Sequence, residues 1–143
     1  MRAREPGLKT EHVHRVVQPE GWRKPAGYAN GISARGRWVF LGGQIGWNRE
    51  QRFERDDLVG QVRQTLQNIL AILAAADAGP EHLASMTWYF TDLDDYLANL
   101  QPIGAVYREL IGRHYPAMAA VEVSAFVEAR AKVEIQAIAV VPD

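Results

Sequence analysis

The fold is decided by the stretch Ala131-Lys-Val-Glu-Ile-Gln-Ala-Ile-Ala-Val-Val141, which alternates side-chain faces and stays largely apolar on both. With the period of two that a β-strand imposes, one face carries Val133, Ile135, Ala137, Ala139 and Val141. The other face carries Lys132, Glu134, Gln136, Ile138 and Val140. A run that is apolar on both faces is typical of a buried strand, so this stretch predicts the central strand of a sheet.

Glu134 is the anomaly in this strand. Its carboxylate follows Val133 and precedes Ile135, and an ionised carboxylate is costly to bury without a partner. The side chain must therefore border a pocket, a partner subunit or a fixed cation. The strand pattern leaves two possibilities open, namely that Glu134 is paired with another group or that it has a functional role.

The composition predicts one soluble globular domain over residues 1–143. The chain has 143 residues, of which 48% are apolar and 23% charged, with a net charge of −1. This length is sufficient for one hydrophobic core. A nearly neutral chain offers no electrostatic basis for binding nucleic acid or an anionic membrane, so we expect neither as a partner. The absence of cysteine excludes disulfides and thiolate chemistry.

Residues 1–18 are predicted to be an N-terminal extension of this domain. They are polar apart from Val13, Val16 and Val17, which predict a short edge strand, and Met1–Glu11 is expected to be dispensable. The start lacks the apolar core of a signal peptide, and no run approaches the roughly 20 apolar residues of a membrane span. We therefore expect a cytoplasmic protein.

Two histidines in this extension, His12 and His14, would share one face of a strand. That spacing is compatible with half of a metal site. A site needs a third and a fourth ligand, and the sequence suggests neither, so two solvated histidines are the preferred interpretation. We expect no metal and no other cofactor.

Glycines organise the next part of the chain. The segments Tyr28–Ala34 and Arg37–Ile45 have strand character and flank Arg35-Gly36, which predicts a β-hairpin. Gly42 and Gly43 follow the apolar part of the second segment. Paired glycines there indicate a bulge or a place where a ligand approaches the backbone closely, and both interpretations stay open.

Two helices are predicted next. From Leu58, apolar residues recur at steps of three and four until the chain breaks at Asp77-Ala-Gly-Pro80, which predicts an amphipathic helix capped by Asp56 or Asp57. The stripe consists of Val62, Leu66, Ile69, Leu70, Leu73 and Ala76. The second helical stretch contains Pro102, so we expect a short piece near Tyr96–Leu100 and a main helix from about Pro102 to Gly112.

Two further strands, Leu83–Thr91 and Ala119–Phe126, complete the predicted elements. Strand, helix and strand in succession suggest a parallel crossover. The full order of hairpin, helix, strand, helix, strand and strand predicts an α+β fold, a mixed β-sheet with two helices packed on one face.

No nucleotide-binding, zinc-protease or serine-hydrolase motif occurs in the chain. A set of ordered blocks is informative instead. The blocks are Gly27-Tyr28, Val39–Ile45, Gln61–Ile69, Thr91–Asp95, Val106-Tyr107, Tyr115–Ala117, Val121–Val123 and Lys132–Ala139. Together they resemble the successive blocks of the reactive-intermediate deaminase (Rid, YjgF-like) family, from about Tyr28 to Val140.

The resemblance implies a chorismate-mutase-like fold assembled as a homotrimer, with small-molecule pockets in the clefts between subunits. It also implies hydrolysis of enamine and imine intermediates, such as 2-aminoacrylate, to 2-oxo acids and ammonia. The family glutamate that orients the water corresponds to Glu134. Tyr28 keeps the family position at the pocket rim. The resemblance implies that the substrate is bound by Tyr28, Gly42, Gly43, Met118, Ala119 and Ala120.

The chain departs from the family at the carboxylate-binding arginine. Met118 occupies that position after Pro116-Ala117, and the two small residues that follow it are Ala119 and Ala120. Many members have a serine where this chain has Gly42. A methionine cannot supply the fork of donors that binds a carboxylate bidentately. The chain thus resembles a divergent member of the family. Trp47 and Trp88 are candidates for the cleft wall, although packing is their simpler interpretation.

Three functions are compatible with these residues. The first is hydrolysis of an imine or enamine with Glu134 positioning water, which the retained glutamate favours. The second is binding of a small metabolite without turnover, which Met118 favours. The third is the ribonuclease or translation-inhibitor activity attached to the family's name, for which a nearly neutral charge is poor support.

Overall fold

The computed structural model describes residues 13–143. Within them the strands are β1 (Arg15–Val17), β2 (Gly31–Ser33), β3 (Arg37–Ile45), β4 (Leu83–Phe90), β5 (Ala117–Glu122) and β6 (Val133–Val141). The helices are α1 (Leu58–Ala75), α2 (Leu93–Ala98) and α3 (Leu100–Leu110), and a short 3-10 turn (Pro80–His82) precedes β4. No helix in this part of the chain combines the length and apolarity that crossing a membrane requires.

β6 is the central strand that its sequence predicts. It lies inside a 4-stranded mixed sheet of order β3-β6-β4-β5 and is antiparallel to both β3 and β4. β5 runs parallel to β4 and forms one edge of the sheet. Because β3 and β4 both run against β6, they are parallel to each other. The predicted parallel crossover is confirmed, with β6 inserted between its two strands.

The predicted hairpin around Arg35-Gly36 is wrong. β2 pairs with β1 in a separate 2-stranded sheet, whereas β3 pairs with β6. Gly36 has a φ of 143°, and a Cβ at this position would collide with the carbonyl of Val141. The glycine therefore carries the chain from one sheet to the other. β3 gains a long antiparallel ladder with β6, which the short β2 could not provide.

Two element boundaries also differ from the prediction. The strand predicted at Ala119–Phe126 is β5, which begins and ends earlier because its partner β4 ends at Phe90. The second helical stretch begins at Leu93 as α2, because the side chain of Asp92 accepts a hydrogen bond from the backbone N–H of Asp95 at 3.0 Å. Pro102 lies in the first turn of α3, where a proline is tolerated.

The N-terminal predictions are tested only in part. β1 is the short strand expected in residues 1–18, and it pairs with β2. His14 is buried, and its Nε2 donates to the carbonyl of His82 at 2.9 Å, so the interpretation of this histidine as solvated is wrong. His12 and the predicted dispensability of Met1–Glu11 lie outside the described residues.

Both main helices cover the same face of the sheet. The apolar stripe of α1 is buried as predicted, and one cluster joins Leu66 and Ile69 to Val106 of α3 and to Ile135 of β6. Asp57 is the residue that caps α1, and the hydrogen bond from the Gly60 N–H, helped by Arg55, lowers the pKa of its carboxyl group. No helix of residues 13–143 covers the opposite face of the sheet.

The amide of Gln61 ties α1 to the segment that enters β6. Gln61 is fully buried, and its Nε2 donates to the carbonyls of Arg55 at 3.1 Å and Arg130 at 3.0 Å. Its Oε1 accepts from the backbone N–H of Lys132 at 2.8 Å. Because the donor and acceptor atoms of the amide are both used, the buried side chain carries no unpaired polar group. This network fixes the chain immediately before Glu134.

Replacing Gln61 with Leu should lower the free energy of unfolding by about 2–4 kcal/mol, because it leaves three part-buried backbone groups without their partners, at a cost of about 1–3 kcal/mol for each group that water does not reach. Equilibrium urea denaturation measures the change. Gln67→Leu is the matched control, since Gln67 lies exposed on the same helix, and it should change the value by less than about 0.5 kcal/mol. Equal losses in the two variants would contradict the role given to Gln61.

Candidate functional site

A cavity lies at the β5 edge of the sheet, between that strand, the helices α2 and α3 and the loop before β2. Its volume is about 480 Å³, which is within the range of small-molecule sites. Aromatic and aliphatic side chains form most of its wall. The arrangement is that of a pocket for a small and largely apolar molecule.

Four of the residues predicted to bind substrate meet at this cavity, namely Tyr28, Met118, Ala119 and Ala120. The last three belong to β5. Tyr28 is held beside them by the backbone, because the N–H of the next residue, Ala29, donates to the carbonyl of Pro116 at 3.0 Å. The sequence block around Tyr28 and the block around Met118 are thereby brought together.

The inner wall of the cavity is aromatic. Tyr107 stacks on Tyr115 with ring centroids 5.5 Å apart, and Trp88 lies 6.3 Å from Tyr107. The Tyr107 hydroxyl donates to the carbonyl of His114 at 2.6 Å, and burial raises the pKa of Tyr107 well above its ordinary value. Trp88 both packs in the core and lines the cavity. Trp47 instead packs against Phe53.

Glu134 and the two glycines form a second group, on the sheet face that the helices leave open. β3 has one extra residue between Leu41 and Gln44 relative to β6, which confirms a bulge at Gly42-Gly43. A Cβ on Gly43 would collide with the Glu134 carboxylate, whereas a Cβ on Gly42 would meet nothing within 4 Å. Gly43 therefore makes room for the carboxylate.

The carboxylate of Glu134 has no partner within residues 13–143. It accepts no hydrogen bond and forms no ion pair there, although its residue is half-buried. Of the two explanations that the sequence leaves open, a structural partner in this part of the chain is excluded. Glu134 also does not line the cavity beside Met118, so one chain presents the two groups of predicted site residues on different faces.

Tyr96 of α2 and Arg108 of α3 also line the cavity, and neither was predicted from the sequence as a site residue. Arg108 is exposed, and its Nη1 would lie 3.2 Å from a Cβ placed on Gly104, so the guanidinium folds back over that glycine. The available signal was a glycine one helical turn before an arginine. In the described part of the chain, no group of three or more His, Asp or Glu side chains could hold a metal.

Comparisons with known proteins agree with this architecture. The family described as Endoribonuclease L-PSP has a sequence model that matches residues 23–141. A RutC family protein of Pyrococcus horikoshii is 36% identical over 126 residues, which cover 87% of this chain and 95% of that protein. The 2-iminobutanoate/2-iminopropanoate deaminase of Salmonella typhimurium is 32% identical over 136 residues, which cover 93% of this chain and 95% of that enzyme.

Solved structures give the same result. The Rid family protein YyfB from Yersinia pestis matches with a TM-score of 0.79 at 26% identity, covering 90% of this chain and 98% of that one. RidA from an Antarctic Psychrobacter matches with a TM-score of 0.65 at 26% identity, covering 89% of this chain and 99% of that one.

The mixed sheet, the helix layer and the pocket at the sheet edge define a small α+β protein of the Rid type. The chain belongs to the reactive-intermediate deaminase (Rid, YjgF-like) family, as its motif blocks imply.

The two adjacent glycines of the bulge allow a matched test of the space that Glu134 occupies. Gly42→Ala should raise the free energy of unfolding by about 0.4–1 kcal/mol, because its backbone is compatible with alanine and its Cβ enters open space. Gly43→Ala should gain less, or lose stability, because the Glu134 side chain must leave its position. Urea denaturation gives both values, and crystal structures show the carboxylate. An unmoved Glu134 in Gly43→Ala would contradict the close packing.

Proposed function

We propose that the protein hydrolyses an imine or enamine intermediate to a carbonyl compound and ammonia, in a cleft between subunits of a homotrimer. The observation that carries this proposal is the Glu134 carboxylate, which is half-buried, unpaired within residues 13–143 and accommodated by Gly43. Membership of the family and the likeness to an imino-acid deaminase support the type of reaction. The physiological role that follows is removal of reactive metabolites, or metabolite damage control.

The proposed reaction needs only one general base from the protein. Glu134 accepts a proton from a water molecule as the water oxygen forms a bond to the imine carbon, and the π electrons of the C=N bond move to nitrogen, which takes up a proton from solvent. In the resulting carbinolamine the C–N bond breaks and nitrogen leaves as ammonia with the proton from Glu134, while the hydroxyl oxygen forms the C=O bond and releases its proton to solvent. An enamine first takes a proton at carbon and loses one from nitrogen, which gives this imine. General acid–base catalysis of this kind contributes about 10²- to 10⁴-fold.

The difference between the two faces of the sheet supports a cleft between subunits. Glu134 shares its face with Trp38 and Phe40, whose side chains are 56% and 70% exposed in the single chain. A second copy covering that face would bury these aromatic rings. It would also bring Glu134 of one subunit towards the β5 cavity of its neighbour, which is how the two groups of site residues would form one site.

A homotrimer predicts a solution mass of about three times the 16.0 kDa of one chain, measured by light scattering after size exclusion. Phe40→Glu should lower the mass, because it places a charge on the face that a second copy covers. Trp22→Glu is the control, since Trp22 is 63% exposed outside the sheets, and it should leave the mass unchanged. A monomeric wild type would contradict both the trimer and the shared site.

Met118 favours a second function, which is binding of a metabolite without turnover. The side chain lines the cavity where the family has its carboxylate-binding arginine, and a thioether cannot bind a carboxylate. The same fold and cavity would then serve as a binding site alone. The ribonuclease named in the family's description has weaker support, because the chain has a net charge of −1. The cytoplasmic location stays a prediction.

The reaction is tested by restoring the arginine. A charged hydrogen-bonding partner contributes about 1.5–3 kcal/mol, or roughly one to two orders of magnitude in rate. Wild type should therefore be slow with small imino acids such as 2-iminopropanoate, and Met118→Arg should be faster by roughly that factor. Adding Glu134→Gln should abolish the gain, because the water loses its base. Imino acids generated by an amino-acid oxidase in a coupled assay provide the measurement.

Met118→Leu is the matched control, since it keeps the size and removes only the thioether, and it should show no gain. If Glu134→Gln left hydrolysis unchanged, the role proposed for Glu134 would be wrong. If wild type were already fully active on 2-iminopropanoate, another residue would have to hold the carboxylate of small substrates.

A further inference from the structure

The cavity is larger and more apolar than a small imino acid requires. Its volume of about 480 Å³ is shaped by the rings of Tyr28, Tyr107 and Tyr115 and by the aliphatic side chains Leu100 and Ile103. Such a wall contributes to binding in proportion to the apolar area that a ligand buries against it. A ligand with a single methyl group would leave most of this wall without a contact.

Arg108 gives the rim of this apolar cavity a positive charge. Among the described lining residues it is the only one with a formal charge, and it forms no hydrogen bond or ion pair within residues 13–143. The neighbouring carboxylate of Glu109 is engaged with Arg63 instead. A guanidinium that is free of protein carboxylates retains the planar pair of donors that matches a ligand carboxylate.

One neutral donor, the hydroxyl of Tyr96, belongs to the same wall. Tyr96 is held by stacking on Phe90 at 4.2 Å, and burial raises the pKa of its hydroxyl, which keeps that group neutral. A neutral hydroxyl on a lining side chain can donate a hydrogen bond to an oxygen atom of a bound ligand.

We propose that this cavity selects carboxylates that carry a bulky apolar or aromatic group, with Arg108 holding the carboxylate in place of the arginine that Met118 replaces. The tyrosine and aliphatic side chains would receive the apolar group. Taken together with the proposed function, on which this step rests, the substrate class is the 2-imino acids derived from amino acids with large apolar side chains. The products are the corresponding 2-oxo acids.

The test uses product-like ligands, so that binding is measured without turnover. Isothermal titration of the intact protein should show phenylpyruvate binding at least roughly 10-fold more tightly than pyruvate, because the phenyl ring buries apolar area in the cavity. Arg108→Gln should weaken phenylpyruvate binding by roughly 10- to 100-fold. Binding of the uncharged phenylacetamide should not change in that variant.

Arg113→Gln is the matched control, since Arg113 is exposed near the end of α3 and does not line the cavity, and it should bind phenylpyruvate like wild type. Two results would overturn the inference. One is equal affinity for pyruvate and phenylpyruvate, and the other is unchanged phenylpyruvate binding in Arg108→Gln.

Kinetics separate this inference from the proposed reaction. With the imine of phenylalanine, Arg108→Gln should raise KM with a smaller effect on kcat, whereas Glu134→Gln should lower kcat. Arg108-dependent binding without any turnover would support the ligand class and contradict the hydrolysis. Glu134-dependent turnover with KM unchanged in Arg108→Gln would support the hydrolysis and contradict the role of Arg108.

Discussion

The hydrogen bonding of β6 along both of its edges is the constraint on which the rest of the structure depends. A strand with a partner on each side cannot shift by one residue without exchanging its two faces. That register places Ile135 and Ala137 towards the helices and Glu134 on the opposite face. The bulge at Gly42-Gly43 then lets β3 keep its pairing around a side chain that needs space.

Much of the fold could be predicted because its signals are local. The alternation of β6, the apolar stripe of α1 and the cap at Asp57 can each be recognised within one short segment of the sequence. The pairing of β2 and β3 could not be predicted in this way. The strand pattern around Arg35-Gly36 indicates two strands but does not show which other strands they pair with. In the structure β2 pairs with β1, and β3 pairs with β6.

The residues of the candidate site likewise differ in whether the sequence could identify them. The resemblance to a family identified Tyr28, Met118 and the alanines that follow, and the fold brings them to one cavity. Glu134 stood out because a carboxylate is unexpected in an apolar strand. The only signal for Arg108 was the glycine one helical turn before it, which is weak, because an arginine on an exposed helix surface is usually only solvated. Its position over Gly104, at the rim of an apolar cavity, depends on tertiary structure.

The position of β5 at the edge of the sheet affects how the protein can change over evolutionary time. Met118, Ala119 and Ala120 lie on a strand with one neighbour in the four-stranded sheet, whereas Glu134 lies on a strand held by two. Substitutions on β5 disturb fewer native contacts than substitutions on β6. They can therefore arise during evolution with a small loss of stability. A shift in ligand preference can therefore accumulate while the carboxylate of Glu134 stays in place. The methionine at residue 118 is the kind of change that this arrangement tolerates.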